Sequence, residues 1–270
     1  MSKIEIQNLT VEYTERNKSF TALQDVSFSV EAGEFVSVVG SSGCGKSTLL
    51  SVLEGINSPT KGEILIDGKP VTGTGTDRGV VFQHYSLFPW MTARKNVMFG
   101  VRQAKKDLPK SEWKKIADKF LDKVGLADFK NKYPSQLSGG MQQRVAIARA
   151  LAMDTDILLM DEPFGAIDTK NRTVLQELLL ELWEGSGKQE RKTVVFVTHD
   201  LDEAILLSDR IIVFSAHPGR ICKELTVPFD RPRNRAELVQ TKEYGAFRNT
   251  LISLFFGDIA DKIGGEEVVL

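Results

Sequence analysis

Three groups of residues in this chain have types and spacing suited to handling a phosphate. Gly40-Ser41-Ser42-Gly43-Cys44-Gly45-Lys46-Ser47-Thr48 fits the phosphate-loop pattern GxxxxGK[ST]. Its glycines let consecutive backbone N–H groups curl toward one anion, and a helix N-terminus after it adds positive potential. Lys46 supplies a point charge for terminal phosphates, and Ser47 a hydroxyl for Mg²⁺. The second group is Asp161-Glu162, at the end of the apolar run Ile157-Leu158-Leu159-Met160. Read as a buried strand, the run places both carboxylates where parallel sheets receive ligands. Alternation along a strand would turn the two acids to opposite sides and give them different tasks. Asp161 suits a Mg²⁺ held through water, and Glu162 suits orienting and deprotonating an attacking water.

The third group is Leu137-Ser138-Gly139-Gly140-Met141-Gln142-Gln143-Arg144, about ninety residues after the phosphate loop. Ser138 is a cap-type residue before a stretch with Val145, Ala148 and Leu151 on one face. A helix starting there presents bare N–H donors, so a single chain carries two places able to receive phosphate. Taken alone, Ser138, Gly139 and Gly140 read better as an ordinary helix cap. Spacing does not reveal whether the two places meet within one molecule or across two.

These groups need a scaffold of alternating elements. Residues 3–13 and 22–30 alternate apolar and polar side chains, as half-buried strands do. Phe35–Val39 reads as a strand entering Gly40, and Lys46–Ile56 as a helix. Short strands are expected at 63–67, 79–83, 157–160, 193–197 and 211–214, with lysine-rich helical periodicity over about 92–135. The fold class is therefore α/β: a P-loop core with a mainly parallel sheet, an antiparallel N-terminal β subdomain and a helical insertion. The division expected is 1–216 for the nucleotide-binding domain, with its helical subdomain at about 92–152. Residues 217–270 form a C-terminal extension. There Pro218, Pro228, Pro232 and nearby arginines predict an extended basic connection, and 246–256 one amphipathic helix docked on the body.

Composition narrows the class. The 270 residues carry 35 basic and 36 acidic side chains, a net charge of −1, which gives no basic footprint for nucleic acid. A hydrophobic share of 41% supports a sizeable core. Cys44 and Cys222 have no metal-type spacing and are expected to be reduced thiols. The first residues lack the apolar core of a signal peptide, and no stretch approaches the roughly 20 apolar residues of a membrane span. Work at a membrane would require another chain to supply the membrane part.

The order GSSGCGKST, Gln83, LSGGMQQR, MDEP, Gly165-Ala166-Ile167-Asp168 and His199 resembles the ABC-type ATPases over residues 3–215. That resemblance implies a head-to-tail pair, a homodimer or paired ATPase subunits. In it Ser138, Gly139 and Gly140 of one subunit close over the γ-phosphate of ATP held by the other. It implies that Gln83 senses Mg²⁺ and the attacking water and couples to membrane subunits, that Asp168 lies in the dimer-contacting loop, and that His199 contacts the γ-phosphate. Ile167 stands where leucine is commoner. Asp200 and Glu203 fit a helix-capping box. Tyr13 matches the aromatic that stacks on adenine, with Phe20 as the alternative.

Export or lipoprotein-release ATPases and soluble ABC ATPases are the competing classes. Phe82–Thr92 and Met160–Asp168 look like importer subunits. Leu87-Phe88-Pro89-Trp90 and Ser215-Ala216-His217-Pro218-Gly219-Arg220-Ile221 are most similar to the nitrate/sulfonate/taurine group. The implied setting is the cytoplasmic face of the membrane, with integral permease subunits and, indirectly, a solute-binding protein.

Overall fold

The computed structural model describes residues 2–15, 18–184 and 191–263. The chain begins with strands β1 (Ser2–Glu15), β2 (Lys18–Glu31) and β3 (Phe35–Val39), followed by helix α1 (Lys46–Leu53). Strands β4 (Lys61–Ile66), β5 (Lys69–Pro70) and β6 (Arg78–Val81) come next. Helices α2 (Ala93–Ala104), α3 (Lys110–Lys123) and α4 (Gly139–Met153) precede β7 (Ile157–Asp161), α5 (Thr169–Glu184) and β8 (Thr193–Thr198). The last elements are α6 (Leu201–Leu207), β9 (Arg210–Ser215), β10 (Arg220–Thr226), α7 (Arg235–Leu238) and α8 (Lys242–Ile263).

Contacts divide the chain into two compact units, Met1–Gly73 with Phe196–Leu270, and Thr74–Val195. In the first unit β1 and β2 form a long antiparallel hairpin, extended by β4 and β5 in the order β2-β1-β4-β5. Ile4, Ile6, Leu9 and Val11 of β1 are buried, as are Val26, Phe28 and Val30 of β2. The alternation slips between Ile6 and Leu9, where Asn8 takes a left-handed φ of 49° and its amide donates to Asp25 Oδ1 at 3.0 Å. A bulge there keeps both ends of the strand facing the core.

Strand β3 is buried at all five positions, as befits a strand covered on both faces. It runs parallel to β9, Val36 opposite Arg210 through Val39 opposite Val213, and β9 pairs antiparallel with β10. Strand β10 falls where an extended basic connection was expected. Its Arg220, Lys223 and Glu224 are exposed, so no buried run betrays it, and charges along an edge discourage further strand pairing. The C-terminal helix is longer than 246–256, reaching from Lys242 to Ile263. Its Tyr244 and Leu251 are buried with Ala204, Ile205, Ile211 and Val213, and Phe247 and Leu254 pack beside them. This is the amphipathic docking that the sequence pattern predicts.

In the second unit β6 and β7 pair in parallel, Arg78 opposite Ile157 through Val81 opposite Met160. Helices α2, α3 and α4 pack on one another, and α4 also meets β6. Thr92 caps α2 by accepting from the Lys95 N–H at 3.3 Å. Among the described residues, no helix is long and apolar enough to cross a membrane.

Candidate nucleotide site

The phosphate loop begins where buried β3 surfaces. Gly43 and Gly45 take φ of 78° and 93°, a region that favours glycine. A Cβ on Gly45 would lie 2.5 Å from Leu23 Cδ2 and 2.8 Å from the Ala22 carbonyl. One on Gly40 would lie 2.5 Å from Cys44 Sγ and 2.9 Å from the Phe214 carbonyl. Substituting either glycine therefore forces backbone to move. Gly45 is also the N-cap of α1, so no side chain occupies the first N–H groups, and the first turn holds no acidic residue. Such a helix start, with bare donors and positive potential, fits an anion.

Lys46 is buried, and its ammonium donates to the carbonyls of Gly40 at 2.7 Å and Ser41 at 3.0 Å, with Cys44 Sγ at 3.6 Å. The charge thus holds the loop in a curl. Burial pushes the Cys44 thiol above its ordinary pKa, against the pull of Lys46, and keeps it neutral. Both cysteines are free thiols, Cys44 buried and Cys222 exposed. Ser42 and Ser47 are exposed, and Ser41 and Thr48 half-buried.

The turn after β9 supports this loop, a role that the sequence pattern does not reveal. Gly219 N–H donates to the Ala22 carbonyl at 3.0 Å, and the Gly219 carbonyl accepts from Gln24 N–H at 2.9 Å. A Cβ on Gly219 would sit 2.2 Å from the Cys44 carbonyl. His217, whose φ is 56°, places Cε1 3.7 Å from where a Cβ on Gly43 would stand. The segment Ser215–Ile221 is therefore a strap against the phosphate loop. Its legible sign was Pro218-Gly219, a turn pair after an apolar run.

Tyr13 and Phe20 are direct cross-strand partners in the β1–β2 hairpin, 42% and 51% exposed. Opposed residues of an antiparallel pair share a face, so the two candidates offer one continuous aromatic surface. Asn57 Nδ2 donates to Tyr13 Oη at 3.3 Å. His199 is exposed just beyond β8. The next residue, Asp200, caps α6 by accepting from the N–H groups of Asp202 and Glu203 at 2.9 and 3.1 Å. Thr198 Oγ1 accepts from Asp200 N–H at 3.0 Å and donates to Glu203 Oε2 at 2.9 Å. The capping pair is thereby joined through the Thr198 hydroxyl.

The second unit brings two other candidates together. Gln83, past the end of β6, donates from Nε2 to Glu162 Oε2 at 3.2 Å. Asp161 ends β7, but Glu162 has left the strand with a left-handed φ of 42°. Simple alternation does not set the direction of Glu162; a local turn does. Holding a non-glycine residue there costs on the order of 1 kcal/mol or more, and such outliers cluster at functional positions.

Ser138 caps α4, accepting from Met141 N–H at 3.3 Å. A Cβ on Gly139 would lie 2.5 Å from Tyr85 Oη, and one on Gly140 3.3 Å from the Ala166 carbonyl. Both glycines thus answer close approach, and Tyr85 joins the neighbourhood through a contact that spacing does not reveal. Helix α4 also restrains the loop that bears Gln83: Arg149 Nη1 donates to the Ser86 carbonyl at 2.8 Å. Asp168 accepts from Asn171 N–H at 3.1 Å and Asn171 Nδ2 at 2.7 Å. These hydrogen bonds, chiefly the side-chain one, hold the Asp168 carboxyl below its usual range.

Residues 23–165 match the family described as ABC transporter. The chain is 45% identical to the nitrate import ATP-binding protein of Synechococcus elongatus, across 88% of this chain and 85% of that protein. It is 44% identical to the taurine import ATP-binding protein of Roseobacter denitrificans, across 99% of each. Its fold superposes with a TM-score of 0.75 on a solved ATP-binding cassette in a dimeric post-hydrolysis state with ADP and Pi. That match covers 84% of this chain and all of that one at 36% identity. A match over more than half of the chain, with relatives this similar along nearly all of it, makes the chain an ATP-binding and hydrolysing member of the ABC transporter family.

Proposed function

We propose that this chain energises import of a small solute, nitrate-, sulfonate- or taurine-like, by hydrolysing ATP as a pair at the cytoplasmic face of a membrane. Integral permease subunits carry the solute, and a solute-binding protein delivers it. Nucleic acid has no part. Residues 1–216 serve as the nucleotide-binding domain, with a helical subdomain at about 92–152, and 217–270 as an appended extension.

One observation carries the importer reading: the second unit displays an apolar, aromatic surface. Trp90 is 70% exposed. Buried Asn96 holds its loop, donating from Nδ2 to the carbonyls of Phe88, Met91 and Thr92 at 3.2, 3.1 and 3.1 Å. The Phe88 ring lies 5.6 Å from that of Trp90 and 4.7 Å from that of Phe99. Phe99 in turn lines a groove of about 220 Å³ with Met91, Met98 and Trp113. A concave patch of apolar side chains rimmed by Lys95, Arg102 and Lys110, beside an exposed tryptophan, suits a helix from a permease.

The chemistry follows from the residues. The phosphate-loop N–H groups and Lys46 bind the phosphates, and Tyr13 or its neighbour Phe20 stacks on adenine. Mg²⁺, when bound, neutralises charge on the phosphates. The hydroxyl of Ser47, the carboxylate of Asp161 and the amide oxygen of Gln83 are the hard oxygen donors that suit it. Glu162 accepts the proton of the attacking water, and Gln83, which already donates to Glu162, orients it. His199 contacts the γ-phosphate. Ser138, Gly139 and Gly140 act on ATP held by the other copy. Catalysis then rests on positioning and electrostatics, as phosphoryl transfer requires.

Affinity isolation of the tagged full-length chain from native membranes tests this reading. A permease and a solute-binding protein should be recovered with it, and Trp90→Ala should lower permease recovery by about tenfold. Recovery with ribosomal or DNA-associated proteins alone would refute the importer reading.

A further inference from the structure

Helix α6 is seven residues long and follows His199 and its cap Asp200 directly. Both of its ends are gripped by side chains from residues 231–248. At the carboxyl end, Arg233 Nη1 donates to the carbonyls of Ile205, Leu206 and Ser208 at 2.8, 3.1 and 2.6 Å. Arg231 donates to the Leu207 carbonyl at 2.5 Å and to Asp209 Oδ1 at 2.8 Å. Two guanidiniums thus satisfy the open carbonyls of the last turn and meet the negative end of the helix dipole.

At the amino end the contact residue is Asp202, in the first turn of α6. Tyr244 Oη donates to its Oδ1 at 2.5 Å, and Arg248 donates through Nε at 2.7 Å and Nη2 at 3.3 Å. Both donors stand on α8. Burial and the Asp202 carboxylate push the Tyr244 phenol well above its ordinary pKa, so it remains a donor. Beside this clamp lies a pocket of about 400 Å³ lined by Leu206, Arg235, Leu238 and the three clamp residues. The polar contacts act beside apolar packing, since Leu201 of the first turn also packs against the cluster that holds Tyr244 and Leu251.

We infer that the C-terminal segment braces α6 at both ends and thereby sets the place of His199, making Arg233, Asp202, Tyr244 and Arg248 positioning residues for hydrolysis. This rests on the reading of His199 as a γ-phosphate contact. The transmission is short. Asp200 is hydrogen-bonded to the amides of Asp202 and Glu203, so a shift of the first turn carries Asp200 and the adjoining His199 backbone with it. A displacement near 1 Å at a phosphate contact costs up to about 10²-fold in rate.

The test compares steady-state ATP hydrolysis by full-length chains carrying Tyr244→Phe with Arg248→Met, or Arg233→Met. Each should lower kcat by about tenfold and leave KM for ATP within about twofold, with helical circular dichroism retained. Should Arg233→Met not fold, the α8 pair carries the test. Arg248 is only half-buried, and the Phe ring keeps the packing of Tyr244. His199→Ala alone should cost about 10²-fold, and adding the α8 pair to it should produce little further loss. Unchanged kcat in a folded α8 variant, or a further tenfold loss on top of His199→Ala, would overturn the brace. Full activity of His199→Ala would instead strike the reading of His199 itself.

Discussion

Glu162→Gln should lower ATP turnover by about 10²–10⁴-fold while ATP still binds. The substitution keeps the size of the side chain and removes only its ability to take a proton. The Gln83 amide that donates to Glu162 Oε2 finds an amide oxygen in its place, so the local hydrogen bond is retained. Backbone geometry is retained as well, because the left-handed φ of 42° at Glu162 belongs to the turn after β7. What is lost is the proposed base. Equilibrium binding of a fluorescent ATP analogue beside single-turnover hydrolysis separates the two effects. Binding within about twofold of the unmodified chain with hydrolysis nearly abolished is the expected pair of results. Hydrolysis at the ordinary rate would remove Glu162 from the chemistry.

Lys46→Ala should act earlier, on the bound phosphates. The ammonium now sits on the carbonyls of Gly40 and Ser41, within a buried curl. Removing it leaves those carbonyls without their charged donor and takes away the cation proposed to meet the terminal phosphates. A lost charge-assisted contact in a buried setting is worth about 1.5–3 kcal/mol, or roughly 10- to 150-fold in affinity. ATP affinity should fall within that range and turnover by at least about 10²-fold. Titration calorimetry with ATP measures the first, and phosphate release the second. Unchanged values for both would withdraw the assignment of Lys46.

Much of this site was legible because its parts are local. Buried runs such as Phe35–Val39 and Ile157–Met160 end in Gly40 and Asp161, and burial of a strand leaves a plain trace in sequence. Helix starts at Lys46 and Gly139 are announced by small residues whose chemistry is short-range. The direction of Glu162 was not legible, since alternation stops where the backbone turns left-handed. Strand β10 was not legible either, because an exposed, charged edge has no periodic apolar signature. The strap at Ser215–Ile221, Tyr85 above Gly139, and the grip of Arg233 on α6 all join residues far apart in the chain. Bonds from side chains to distant carbonyls leave no pattern in composition or spacing. The arginines of the C-terminal segment therefore read only as charge until the fold placed them against a helix end.

On the proposed mechanism two copies share each ATP, the phosphate loop of one with the Ser138-Gly139-Gly140 helix start of the other. Mixing two inactive chains distinguishes this from sites confined to single copies. Lys46→Ala disables a phosphate loop, and Gly139→Asp disables the other surface by setting a carboxylate, and a Cβ that meets Tyr85, at its helix start. Each protein alone should be inactive. In an equimolar mixture, mixed pairs contain one site built from two intact halves, and about a quarter of the unmodified activity should return. Activity no greater than the sum of the separate proteins would contradict sharing between copies.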